Sequence, residues 1–154
     1  MPQNVPDYLE SYEIKELLHV AKTYCRRDYV LLSFMWHTGM RVGEIIKVTP
    51  KDIEFHRMAF VVRHAKGGKQ RRIPLDEQIT KMLSEYITEN GIKKNERIFP
   101  IARQTVGKVV KRYGAMIGVD VHPHTLRHSF AIYLVRSGVD LRRVQMLIDR
   151  KSVV

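Results

Sequence analysis

Between residues 11 and 24 the apolar positions Ile14, Leu17, Leu18 and Ala21 recur at helical spacing, with Ser11 standing where an N-cap is expected and Glu13 in the first turn. Residues 1–10, with Pro2 and Pro6, read as an extended lead-in. The next apolar run, YVLLSFMW at 29–36, has no polar face and predicts a helix buried on all sides, closing at Gly39 where a turn costs little. RVGEIIKV, from Arg41, predicts a short helix stopped by Pro50, which sets Arg41 at a helix start directly after a glycine turn.

The period then changes. In MAFVVRHAKGGKQRRIPL, β-favouring residues flank Gly67-Gly68 and predict a hairpin over 58–63 and 70–74, to which KDIEF adds a third short strand. Helical spacing returns in Ile79, Met82, Leu83, Tyr86 and Ile87, ending at Asn90-Gly91, and again in Val106, Val109, Val110, Tyr113 and Ile117, ending at Gly118. Leu126, Phe130, Tyr133 and Leu134 form a stripe up to Gly138, and Leu141, Val144, Leu147 and Ile148 form another after a cap at Asp140. On this stripe Tyr133 reads as a core residue. The predicted class is mainly α with a small antiparallel β-sheet, in one folding unit after residue 10.

With 154 residues the chain can build a core without disulfides, and the lone Cys25 offers no internal one. No apolar run nears the roughly 18 residues of a membrane span, and MPQNVPDYLESYE has neither the basic start nor the apolar centre of a signal peptide, so an intracellular, cytoplasmic protein is expected. Charge changes the picture more. Lys and Arg number 27 against 16 Asp and Glu, a formal net charge of +11, which favours a polyanionic partner.

Three segments carry candidate chemistry. In HPHTLRHSF, His124 and His128 stand four apart as a metal pair would. Arg127 lies between them and no carboxylate or thiolate follows, so metal is disfavoured. His124 and Arg127 at a helix start suit a phosphate, while a plain N-terminal turn with a satisfied histidine remains the alternative. In HTGMRVGEI, Glu44 sits one turn after Arg41 and can orient its guanidinium or a neighbouring histidine; a surface pair is the simpler reading. The hairpin tip RHAKGGKQRR carries Arg63, Lys66, Lys69, Arg71 and Arg72 without one acid, as a DNA-binding turn or as a solvated edge.

In this order, HTGMRVGEI, AKGGKQRRIPL and HPHTLRHSFAIYLVRSGVDLRRVQMLI make the chain resemble the catalytic domain of tyrosine recombinases, the phage-integrase family that includes chromosome-dimer resolvases. The resemblance covers nearly the whole length. It implies that residues 11–154 form a catalytic domain without the family's N-terminal core-binding domain and its C-terminal tyrosine segment. It also implies site-specific recombination or integration of double-stranded DNA, by a homo-oligomer on DNA in the full-length protein, with no metal or other cofactor and no membrane. The setting it implies is the nucleoid, or the host cytoplasm for a viral or plasmid-encoded protein. A noncatalytic DNA-binding or regulatory relative that occupies recombination sites carries the same motifs and is the alternative.

By the same resemblance Arg41 and Arg127 hold the scissile phosphate, Lys66 is the general acid with Lys69 as second candidate, and His124 is the accompanying histidine. Glu44 supports them; beside the resemblance, His128 reads as a supporting residue behind His124 and Arg127, and Arg63, Lys69, Arg71 and Arg72 of the basic hairpin read as DNA-binding, with a solvated turn as the alternative. Arg150 stands where the family usually has His or Trp and is read as a further phosphate contact. The chemistry suits these side chains: charge grows on the non-bridging oxygens during attack, and two planar guanidinia clamp them bidentately. The family's nucleophile is a tyrosine placed after the Arg150 position, where this sequence has none.

Overall fold

The all-round apolar run becomes the pivot of the fold in the computed structural model, which describes residues 7–63 and 70–148. The first helix, α1 (Ser11–Tyr24), leads into α2 (Arg26–Thr38), whose Val30, Leu31, Leu32, Phe34 and Met35 are all buried. A four-residue α3 (Val42–Ile45) and a 3-10 turn (Pro50–Asp52) follow, then the strands β1 (Ile53–Glu54), β2 (Ala59–Val62) and β3 (Arg71–Pro74). They form an antiparallel sheet in the order β1-β2-β3, with Phe60 opposite Ile73 and Val62 opposite Arg71. The chain then returns to helices: α4 (Glu77–Glu89), α5 (Arg103–Met116), α6 (Pro123–Arg136) and α7 (Leu141–Ile148). The expected class, mainly helical with a small antiparallel sheet, is the one observed.

Packing explains why the 29–36 run of α2 is nearly apolar all round. α1, α4 and α6 all lie against it, and the sheet reaches it through aromatic rings. The Phe34 ring stands 5.4 Å from Phe60 of β2 and 6.2 Å from Phe99, which stacks at 6.0 Å on Tyr86 of α4. Burying each such ring contributes on the order of 1.5–3 kcal/mol, so sheet and helices share one core.

Three expectations need correction. α1 is capped one residue early, at Glu10, because the Glu13 carboxylate reaches back to accept the Glu10 N–H at 2.9 Å, a contact that Ser11 in the cap position would not have offered. The helix begun by RVGEIIKV stops after Ile45, well before Pro50. Past that point Lys47 N and Val48 N reach only three residues back, to the carbonyls of Glu44 and Ile45, each at 3.2 Å, and carbonyls of the turn bond another segment: Arg97 Nε donates to Ile46 O at 2.5 Å and Ile98 N to Val48 O at 2.9 Å. Tyr133 is 46% exposed rather than core, and its ring lies 5.5 Å from that of Trp36.

Two details fix α2 against its neighbours. Asp28, only 1% exposed, accepts the Tyr113 hydroxyl of α5 at 2.7 Å and pairs with Arg27 at 2.9 Å, so its charge is compensated inside the core. At the other end, Gly39 takes the left-handed conformation with φ +67°, and the Phe130 ring of α6 lies where its side chain would be: a Cβ there would fall 2.2 Å from the ring.

These contacts generate two expected outcomes. Gly39→Ala adds left-handed strain to a collision with a packed ring, and urea unfolding should show a loss of about 2–4 kcal/mol. Burial first, then the bond to Asp28, pushes the Tyr113 hydroxyl up to about 12. The folded state therefore keeps a proton that the unfolded chain loses near pH 10, so this contribution is present below pH 10 and is lost as pH rises toward 12, at about 1.4 kcal/mol per unit. Tyr113→Phe should lower stability at neutral pH by about 1–3 kcal/mol and flatten that alkaline decline in pH-resolved melts.

Candidate active site

Three of the candidate residues come from separate elements and meet at one place. Arg41 directly precedes α3, two residues past the Gly39 turn, while His124 and Arg127 lie in the first two turns of α6. All three line a single open cleft of about 550 Å³, floored by β2. Arg127 enters it from a fixed base. Its Nε donates to the Gly39 carbonyl at 3.1 Å, across 88 positions of sequence. A bond at Nε fixes the plane of a guanidinium, and a fixed plane is what bidentate recognition of an oxyanion requires.

Glu44 also lines the cleft, and its partners are now visible. Its Oε1 accepts the Arg41 backbone N–H at 3.3 Å, and the carboxylate pairs with Arg71 of β3 at 3.2 Å. The Glu44 and Arg71 side chains are 20% and 14% exposed, so this second pair is an internal brace between β3 and the start of α3. The reading of Glu44 as a support thus gains a physical form: it orders the backbone from which Arg41 projects.

The other hairpin arginines are engaged as well. Arg63 Nε lies 2.6 Å from Asp52, which also caps the 3-10 turn through Thr49 N at 3.0 Å. Arg72 holds Glu54 with two bonds, at 2.8 and 3.1 Å, and this hydrogen bond keeps the Glu54 carboxyl below its ordinary range. Arg63 lines the cleft; Arg71 and Arg72 do not. Lys66, Lys69 and Arg150 lie outside the described residues.

His124 is exposed at the cleft, its ring 6.3 Å from that of His128. His128 turns to the lead-in instead, where Nδ1–H donates to the Asp7 carbonyl at 3.0 Å and the ring meets Tyr8 edge-on at 6.2 Å. Its support is to hold the lead-in against α6. Among the described residues no group of three or more His, Cys, Asp or Glu is arranged to hold a metal ion, and no helix is long and apolar enough to cross a membrane.

Two cations in the cleft escaped the sequence reading, Lys47 and Arg103. Neither belongs to a motif. Lys47 follows α3, and Arg103 is the first residue of α5, brought over by a clamp: Arg97 donates to the carbonyls of Ile46 at 2.5 Å and Ile101 at 3.0 Å, tying the two segments together. Such tertiary links make Arg103 a neighbour of Arg41 in the cleft, and no local pattern encodes them.

Comparison with known proteins accords with this geometry. Residues 7–153 match the Phage integrase family. A tyrosine recombinase of Pseudothermotoga lettingae is 34% identical over 157 residues, covering 98% of this chain and 54% of the relative. The crystal structure of XerA recombinase superposes with a TM-score of 0.88 at 29% identity, over 99% of this chain and 58% of that one. XerH recombinase bound to its difH substrate shares the fold, with a TM-score of 0.84 at 24% identity, over 98% and 49%. The chain thus spans about half the length of the relatives it matches. With a family match that runs from the lead-in to the end of the described residues and beyond, this chain belongs to the phage integrase family, among the tyrosine recombinases.

Proposed function

We propose that residues 11–154 are the catalytic-domain body of a tyrosine-type site-specific recombinase, acting on double-stranded DNA in the cytoplasm as a homo-oligomer assembled on its site. The observation that carries this reading is the convergence of Arg41, His124 and Arg127 on one open cleft, with the Arg127 guanidinium pinned by the Gly39 carbonyl. The XerH relative, solved on its difH substrate, supports DNA as the ligand.

In this reading the two guanidinia take the non-bridging oxygens of the scissile phosphate and stabilise the charge that grows there during attack. A tyrosine hydroxyl attacks phosphorus, a 3′-phosphotyrosyl bond forms, and the bond to the 5′ oxygen breaks. Lys66 delivers the proton to that oxygen, and His124 accepts the tyrosine's proton or bonds the phosphate. Arg150 adds a further contact to the phosphate. The link conserves the energy of the broken bond, so a 5′ hydroxyl can reverse it without ATP.

The nucleophile is not one of the seven tyrosines of this sequence. None of them lines the cleft. Tyr113 is bound to Asp28 with its hydroxyl raised to about 12, burial pushes the Tyr86 hydroxyl up, and Tyr8 accepts from Arg136 at 3.0 Å. The hydroxyl is brought to the cleft by residues other than these, in the same polypeptide or from a neighbouring subunit.

Binding and chemistry test this separately. Duplex DNA affinity of the 154-residue chain, followed by fluorescence anisotropy, should fall steeply with salt, and Arg41→Ala should reduce the slope of log K against log salt by about 0.9. Salt-independent binding, or none, overturns the DNA reading. On denaturing gels the chain alone should form no covalent adduct with DNA, and robust adduct formation would refute the nucleophile argument. In a tyrosine-bearing form, Arg127→Lys keeps the charge but loses the planar fork, and cleavage should drop on the order of 100-fold or more.

A further inference from the structure

Arg103 is exposed at the cleft and set apart from the other arginines around it. Arg63, Arg71 and Arg72 each meet a carboxylate, and Arg97 is spent on backbone carbonyls. Among the described residues Arg103 has no hydrogen-bond or ion-pair partner, yet it has a defined seat. A Cβ on Gly43 would fall 2.6 Å from its Nη2, so the guanidinium lies on the bare backbone of α3, two residues from Arg41. Gly43 does not take a left-handed conformation, and within a helix alanine is favoured over glycine by about 1 kcal/mol. What the missing side chain provides is the space for Arg103.

We propose that Arg103 is a third arginine of the DNA site, holding the backbone phosphate next to the one that Arg41 and Arg127 clamp. A scissile phosphate has two non-bridging oxygens, and two guanidinia occupy them; a third planar cation in the same cleft is left the adjoining phosphate of the strand. The inference rests on the DNA reading above and adds to it a contact outside the family-like motifs, with Gly43 as its socket.

Salt titration of duplex DNA binding by the whole chain separates the two. Arg103→Ala should lower the slope of log K against log salt by about 0.9, and Arg103→Lys, which keeps the charge, should restore it. Gly43→Ala should displace the guanidinium, because the atom it meets is the end of a flexible side chain. It should therefore weaken binding in the same direction, keep a cooperative thermal melt, and add little on top of Arg103→Ala. Arg26→Ala, which removes a cation paired with Glu89 outside the cleft, should leave the slope unchanged. A wild-type slope in Arg103→Ala overturns the inference alone, as does an equal loss in Arg26→Ala, which would assign the effect to net charge. A full Gly43→Ala loss persisting in the Arg103→Ala background also overturns it, and a wild-type chain without salt-dependent affinity removes the DNA reading and this contact together.

Discussion

The crossing of α6 over the end of α2 is the constraint on which the site depends. At Gly39 the backbone turns left-handed, its missing side chain leaves room for the Phe130 ring, and its carbonyl receives Arg127 Nε. One residue thus ends the central helix, seats α6 and aims a guanidinium. Arg41 follows two positions later, so both arginines are referenced to the same corner of backbone. Because α2 is held by the shared core on its other faces, that corner inherits the rigidity of the whole domain.

Charge is distributed more selectively than the net +11 suggests. The hairpin arginines that look like an uncompensated basic patch in sequence each find an acid: Asp52 for Arg63, Glu44 for Arg71, Glu54 for Arg72. Such pairs do not bar a role on DNA, since exposed ones are worth little and can exchange a carboxylate for a phosphate. The Glu44–Arg71 pair is different. It is mostly buried, and breaking it would leave a carboxylate uncompensated at the wall of the cleft, so its contribution is to hold β3 and α3 in register.

What the sequence made legible follows from which signals are local. The nearly apolar run of α2 at 29–36, the striped α4 and α5, and the hairpin strands could be read because burial on one face, or on every face, leaves its pattern on the chain. The cleft residues Arg41, His124 and Arg127 were visible through their motifs. The early end of α3 was not: Lys47 and Val48 bond only three residues back, and the resulting turn is held by Arg97 and Ile98, some fifty residues away, on the carbonyls of Ile46 and Val48. Arg103 was hidden for the same reason. Tyr133 misled because its position on an apolar stripe does not say whether another element will cover that end of the helix; its ring meets Trp36 at a tilt and stays 46% exposed.

The glycines of HTGMRVGEI illustrate how a local reading goes short. Read along the chain, Gly39 is a helix stop and Gly43 carries no signal of its own. In three dimensions each is a place where a distant side chain meets bare backbone, the Phe130 ring at Gly39 and the Arg103 guanidinium at Gly43. Gly114 in α5 repeats the device, since a Cβ there would fall 2.2 Å from Val121 Cγ1, a residue of the turn that leads into α6. A glycine inside a helix costs about 1 kcal/mol against alanine, and here the cost is offset by a close approach that alanine would forbid. Two of the three contacts bear on α6 and one brings a cation to α3, so the absence of these side chains helps set the geometry of the cleft as directly as the presence of its arginines.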